Sequence, residues 1–200
     1  FGELFGMKIT PDELFTKLYS VALSGDPDCG GMLSYNYFSG EPVTGFESGA
    51  PLFVRSAESK FTLANTMRMH LYSALAALKV GMDLLLKEEH VTVDKLYGHG
   101  GFFKTKEAGQ RIAAAAMNAP VSVMETAGEG GAWGIALLAA YLTEKENGSL
   151  GEFLNKRIFA GKEGSERKPD EKDVEGFEQF MKRYRKGFEA ERAAIRAMTE

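Results

Sequence analysis

The sequence predicts an α/β layer domain, a mixed sheet flanked by helices, with a C-terminal helical extension. Three observations carry that expectation. An apolar stub, a paired-glycine turn and an alanine-rich helix follow one another over residues 91–118. A second strand, a second glycine-rich stretch and a second helix follow over residues 120–141. Composition then changes at residue 161, after which 10 basic and 10 acidic side chains share the last 40 positions. Strand, turn and helix repeated in this order build helices onto a sheet.

The chain begins without Met, and Phe1-Gly2-Glu3-Leu4-Phe5 reads as the end of a helix cut from something longer. Thr10-Pro11-Asp12-Glu13 starts the next helix, with Thr as N-cap, Pro at the first helical position and acids in the first turn. Leu14, Phe15, Leu18, Val21 and Ala22 give it an apolar face, and Ser24-Gly25 ends it. Residues 25–31 form a loop whose two acids, Asp26 and Asp28, invite a metal or general-base reading; turn chemistry is the commoner reason for Asp beside Pro and Gly. The aromatics of residues 32–38 predict a strand, Ser39-Gly40-Glu41-Pro42 a turn, and Leu52-Phe53-Val54 a second short strand.

Residues 61–89 hold the longest helical pattern, apolar on more than one stripe and so buried over much of its circumference. Val91, Val93 and Leu96 lead into Gly98-His99-Gly100-Gly101-Phe102-Phe103-Lys104-Thr105, and residues 107–118 form the alanine-rich helix. Residues 120–124 predict a strand. Residues 135–141, after the small residues of 127–134, predict a helix packed tightly on a sheet or beside a bound group. Residues 162–168 read as a polar linker, and residues 173–198 as one helix with Val174, Phe177, Met181, Tyr184, Phe188, Ile195 and Met198 on its apolar stripe. Packing of that helix back onto its own domain is the expected arrangement, with a zipper-like homodimer as the alternative.

Composition excludes several classes. A net charge of −4 and a pI near 5.6 argue against nucleic acid and anionic membrane as partners. No unbroken run of about 18 apolar residues is present, so no membrane span is expected. The single cysteine, Cys29, forbids an internal disulfide and suits a reducing, cytoplasmic setting. His70, His90 and His99 are scattered without metal-ligand spacing. There is no Gly-x-Ser-x-Gly elbow, no dinucleotide fingerprint and no P-loop.

What remains is the turn. Glycines between a strand and a helix let backbone N–H groups approach a phosphate or ribose, since no Cβ intervenes. Two such turns on successive strands would lie side by side at one sheet edge, where ligands of open α/β sheets bind. The same glycines also make ordinary tight turns.

The order of these motifs resembles the C-terminal domain of the FGGY carbohydrate kinases, pentulose kinases in particular, within the actin/hexokinase/Hsp70-like ATPases. The resemblance runs from Leu4 to Leu142 in three parts. Tyr37-Phe38-Ser39-Gly40-Glu41 is similar to the family's strand ending in a Ser-Gly-Glu turn. His99 to Thr105 is similar to its adenosine-binding turn. Ala132-Trp133-Gly134-Ile135-Ala136 is similar to its closing Ala-Leu-Gly-Ala-Ala helix. Phe102 stands where the family has a third glycine, and Val54 where it has a glycine.

The resemblance implies a ribonuclease H-like, actin-like fold and a two-lobed enzyme that transfers the γ-phosphate of ATP to a hydroxyl of a small sugar, a ketopentose. It implies a nucleotide-binding domain over residues 1–160, followed by the linker and docked helix of residues 161–200. Gly100 and Gly101 would lie against the ribose and α-phosphate, with Phe102 and Phe103 beside them. Lys104 and Thr105 either reach the nucleotide or cap the helix. The Asp-x-Gly-Thr phosphate motif, the sugar contacts and the catalytic Asp belong to an N-terminal lobe absent from this sequence, as does most of the Mg2+ coordination. Asp26 imitates the Gly-Asp of the catalytic base but lies downstream of its place, and it is not assigned. The competing expectation is a nucleotide-binding or assembly module without chemistry of its own.

Overall fold

The computed structural model describes residues 2–105, 107–124, 130–160 and 164–199. A one-turn helix, α1 (Gly2–Phe5), precedes α2 (Pro11–Ala22). At the start of α2 the Thr10 hydroxyl accepts from the Glu13 N–H, and the Glu13 carboxylate accepts from the Thr10 N–H at 2.9 Å. This reciprocal cap satisfies amides that a helix start leaves unpaired. The acids of the following loop are structural. Asp26 accepts from the Asn65 amide at 3.0 Å and Asp28 pairs with Arg183 at 3.0 Å. Cys29 is buried there, and burial pushes its thiol pKa up, away from nucleophilic behaviour.

The strands are short. β1 (Leu33–Tyr35) pairs antiparallel with β2 (Leu52–Val54). Residues 36–38, expected to extend β1, leave the ladder; Tyr37 is buried all the same, its hydroxyl 2.6 Å from that of Tyr184. Helix α3 (Leu63–Asp83) continues into a wider π turn at Leu84–Glu88. Leu63–Glu88 is long and apolar enough by composition to cross a membrane. Here α3 packs against α2, β1, α4 (Ala108–Met117) and α7 (Glu171–Lys186).

The second sheet is mixed. β3 (Leu96–Gly98) runs parallel to β4 (Val121–Val123), which pairs antiparallel with β5 (Ser165–Arg167). The expected polar linker is therefore in part a strand; Lys162 and Glu163 lie outside the described residues. Polar side chains hold β5 in place. Gln110 of α4 donates to the Ser165 carbonyl at 2.8 Å, and Glu166 takes Lys95 at 2.5 Å. Helix α4 fits closely over this sheet because Ala113, Ala114, Ala115 and Ala116, all buried, keep its girth small.

The expected helix over residues 173–198 is two helices, α7 and α8 (Phe188–Thr199), meeting at Gly187. A Cβ at Gly187 would lie 2.5 Å from the Tyr35 hydroxyl and 2.6 Å from the Leu33 side chain, so these β1 side chains would have to shift to admit one. Phe177, Phe180, Met181 and Tyr184 of α7 are fully buried in the same core as β1 and α3. By contrast α5 (Gly130–Leu142), expected to pack tightly on the sheet, buries only Leu137; Ile135 and Leu142 are 69% and 68% exposed. Short α6 (Leu150–Phe153) follows it.

Two buried charges give stability predictions. Arg68 and Asp173 meet at 2.7 Å, almost without solvent. Removing one partner of such a pair strands the other, at a cost of about 3–5 kcal/mol. Asp173→Ala is expected to lose that much in urea titration, and the double variant Arg68→Met, Asp173→Leu distinctly less. Glu191 of α8 is the second case. One carboxylate oxygen accepts from the Ala50 N–H at 2.9 Å and the other has no hydrogen-bond partner. Burial raises its pKa, which the Ala50 N–H only partly offsets. A carboxyl whose folded pKa is raised contributes most when protonated, and that contribution is lost as pH rises through the folded value. Glu191→Gln should therefore gain about 1 kcal/mol over wild type near neutrality, and the gain should vanish below the ordinary Glu range, as read by denaturation across pH.

Candidate functional site

The glycine turn leaves the carboxyl end of β3. Gly98, aligned with Val123 of β4, ends the strand, and Gly100 then takes φ +93° and ψ −177°. That backbone region is open essentially to glycine alone. Gly101–Phe103 form one 3-10 turn, closed by the Phe103 N–H donating to the Gly100 carbonyl at 3.0 Å and the Lys104 N–H to that of Gly101 at 3.1 Å. Lys106 lies outside the described residues.

Gly101 differs from Gly100. Its φ is ordinary, and a Cβ built there meets nothing within 4 Å. The backbone demand for glycine falls at Gly100; at Gly101 the fold asks for nothing, yet the position is bare and exposed.

Phe102 and Phe103 sit half-buried against the core, their ring centroids 5.3 Å apart. Where the family resemblance expects a third glycine, Phe102 anchors the turn on α2 through Tyr19, 6.2 Å away between ring centroids. Lys104 is exposed and Thr105 is buried. Gly101, Lys104 and Thr105 line one side of a cavity of about 520 Å³. Asp12, Phe15, Thr16 and Tyr19 of α2 line the other.

The sequence hid that second wall. Leu14 and Phe15, expected in the core, are 37% and 55% exposed, and Ala22 is the fully buried residue of the helix. The 12, 15, 16, 19 spacing was the available signal, since it places four side chains on one helical face.

The second glycine stretch begins outside the described residues, at positions 125–129, but its end is visible. A Cβ on Gly130, at the start of α5, would lie 3.5 Å from the Gly100 nitrogen, so the two turns abut. A further cavity, of about 600 Å³, opens on the sheet face carrying Lys95, Tyr97, His99 and Ser122. There Glu166 hydrogen-bonds Lys95, which raises the lysine's pKa and lowers its own. Among the described residues no three His, Cys, Asp or Glu side chains could hold a metal ion together.

The turn, the parallel strand pair behind it and the abutting second glycine stretch match a known pattern. Residues 7–143 fit the model of the FGGY family of carbohydrate kinases, C-terminal domain. The chain belongs to that family. As an FGGY C-terminal domain it has the actin-like ATPase fold, and solved structures agree. Ligand-bound xylulose kinase from Lactobacillus acidophilus superposes with a TM-score of 0.68 at 17% identity, covering 90% of this chain and 35% of that one. Gluconate kinase from Lactobacillus acidophilus gives 0.67 at 18% identity, covering 91% and 35%. Plasmodium falciparum glycerol kinase with ADP gives 0.56 at 17% identity, covering 84% and 33%. The FGGY domain thus spans about a third of the length of these enzymes. No curated protein sequence matches it.

Proposed function

We propose that this FGGY domain is the ATP-binding lobe of a two-lobed kinase that phosphorylates a small sugar, a ketopentose. The observation that carries the reading is Gly101. It has no conformational reason to be glycine and no neighbour that a side chain would strike, but it opens the turn that follows β3, next to Gly100, which the second glycine stretch abuts. A bare position of that kind suits a bound group that must approach the backbone. Gly100 and Gly101 would face the ribose and α-phosphate, and Phe102 and Phe103 would hold the turn rigid from behind. Lys104 would reach the nucleotide from the cavity wall, and Thr105 would support the turn.

ATP supplies the phosphoryl group when bound. The contribution of this chain is positioning, which in phosphoryl transfer is a large share of catalysis. Mg2+, the catalytic base and most sugar contacts would come from the other lobe. Asp26, the one imitation of a base, is tied to Asn65 and Lys60 instead, and the Asn65 hydrogen bond lowers its pKa. The ketopentose rests on the overall resemblance to pentulose kinases; the solved neighbours are named for xylulose, gluconate and glycerol.

Two outcomes are expected. Gly101→Val should keep wild-type stability within about 0.5 kcal/mol, because its site is exposed, and should weaken ADP binding at least about tenfold by calorimetry. Equal affinity in the two proteins would remove the turn from the nucleotide site. These 200 residues alone should also release no ADP in a coupled assay with pentuloses, pentitols or glycerol. Sustained, substrate-dependent turnover would show that the base lies in this chain after all.

A further inference from the structure

Two buried glycines bracket the turn. Gly98 ends β3, and Gly109 lies in the first turn of α4. Neither takes a positive φ, so the backbone alone would accept another residue at either place. In α4 a glycine also forgoes the helix propensity that the alanines after it supply. What each position lacks is room. A Cβ at Gly98 would lie 2.6 Å from the Phe103 ring. A Cβ at Gly109 would overlap the backbone carbonyl of Phe102 and lie 3.3 Å from its ring. Glycine in a strand or helix often marks such a close approach.

The two contacts hold the turn from its two ends. The Phe103 ring is folded back onto the strand that precedes the turn, and the Phe102 carbonyl is seated on the helix that follows it. Tyr19 of α2 meets the Phe102 ring as well. Between these seats lies the 3-10 turn, in which the Phe103 and Lys104 N–H groups donate to the Gly100 and Gly101 carbonyls. A glycine loop left free would sample many conformations and lose that freedom when a ligand bound. A loop already fixed loses less, and binds more tightly for it.

We propose that Gly98 and Gly109 are positioning residues of the nucleotide site, which touch no ligand and fix the turn by giving Phe103 and Phe102 their seats. This rests on the nucleotide reading of Gly100 and Gly101. It also accounts for Phe102 where the family resemblance expects a third glycine. The bulk gained at Phe102 is matched by space made at Gly109, outside the turn.

The test compares wild type with Gly98→Ala and Gly109→Ala in the full chain. Amide hydrogen exchange without ligand reports the turn, calorimetry with ADP reports the site, and melting curves check the fold. In each variant the Phe103 and Lys104 amides should exchange at least about tenfold faster, while the amides of Ala113 to Ala116 keep their rates. ADP should bind about tenfold more weakly. Wild-type exchange at those two amides, or wild-type ADP affinity, would overturn the positioning role and leave the nucleotide reading standing. Exchange that rises evenly through the domain, or loss of the fold in both variants, would also overturn it, because the contacts would then hold the core rather than the turn. If Gly109→Ala alone fails to fold, Gly98→Ala decides, since the Phe103 ring can turn aside where a backbone carbonyl cannot. A wild type that binds no ADP removes the nucleotide reading, and the positioning role with it.

Discussion

Arg68 is the side chain on which the helices of this domain converge. Its guanidinium, 1% exposed, donates from Nε to the Ala22 carbonyl at 3.0 Å and from Nη2 to the Leu23 carbonyl at 3.2 Å. Its Nη1 donates to Asp173 at 2.7 Å and to the Tyr72 hydroxyl at 3.3 Å. A buried cation costs several kcal/mol of hydration unless its donors are satisfied. Here the last carbonyls of α2, negative by the helix dipole, meet part of that need and the α7 carboxylate meets the rest. Arg111 of α4 adds a longer contact to the same carboxylate, at 3.7 Å. One planar, rigid group thus ties α2, α3 and α7 together, and its carboxylate partner also faces α4.

The site inherits its geometry from that junction. Helix α2 pivots on Arg68 at its C-terminal end, so its Asp12 to Tyr19 face is held over the glycine turn. Helix α4 starts soon after the turn and faces the same carboxylate through Arg111, while its buried alanines let it lie close on β4. One wall of the cavity therefore belongs to a helix that meets the ion pair, and the other is the turn that leads into α4. The short hydrogen-bonded contacts of the Tyr35, Tyr37 and Tyr184 cluster add a second tie, between α7 and the β1 segment.

Local chemistry made much of this legible. The Thr10 cap, the glycine turn and the alanine helix each announce themselves within a few residues, because their cause is local. Strand β5 does not, since Ser165-Glu166-Arg167 carries no apolar alternation and is held by its pairing with β4 and by polar contacts to Gln110, Lys95 and Glu107. The close approach of Gly187 to the Leu33 and Tyr35 side chains is a tertiary feature as well, with no local sequence signal. At the site, the glycines could be seen, but which of them carries the unusual backbone could not; the structure puts it at Gly100. Phe15 was hidden for a different reason. An aromatic residue on an apolar helical stripe reads as core until its exposure is known.

The central claim is that a nucleotide binds where the two glycine stretches meet. The most direct measurement is a titration of the 15N-labelled chain with ADP, following every backbone amide. The account predicts saturable shifts that centre on residues 98–105 and extend to Phe15 and Tyr19 on α2. Shifts confined to the sheet-face cavity around Lys95, Tyr97 and Ser122, or no saturable shift at all, would contradict it.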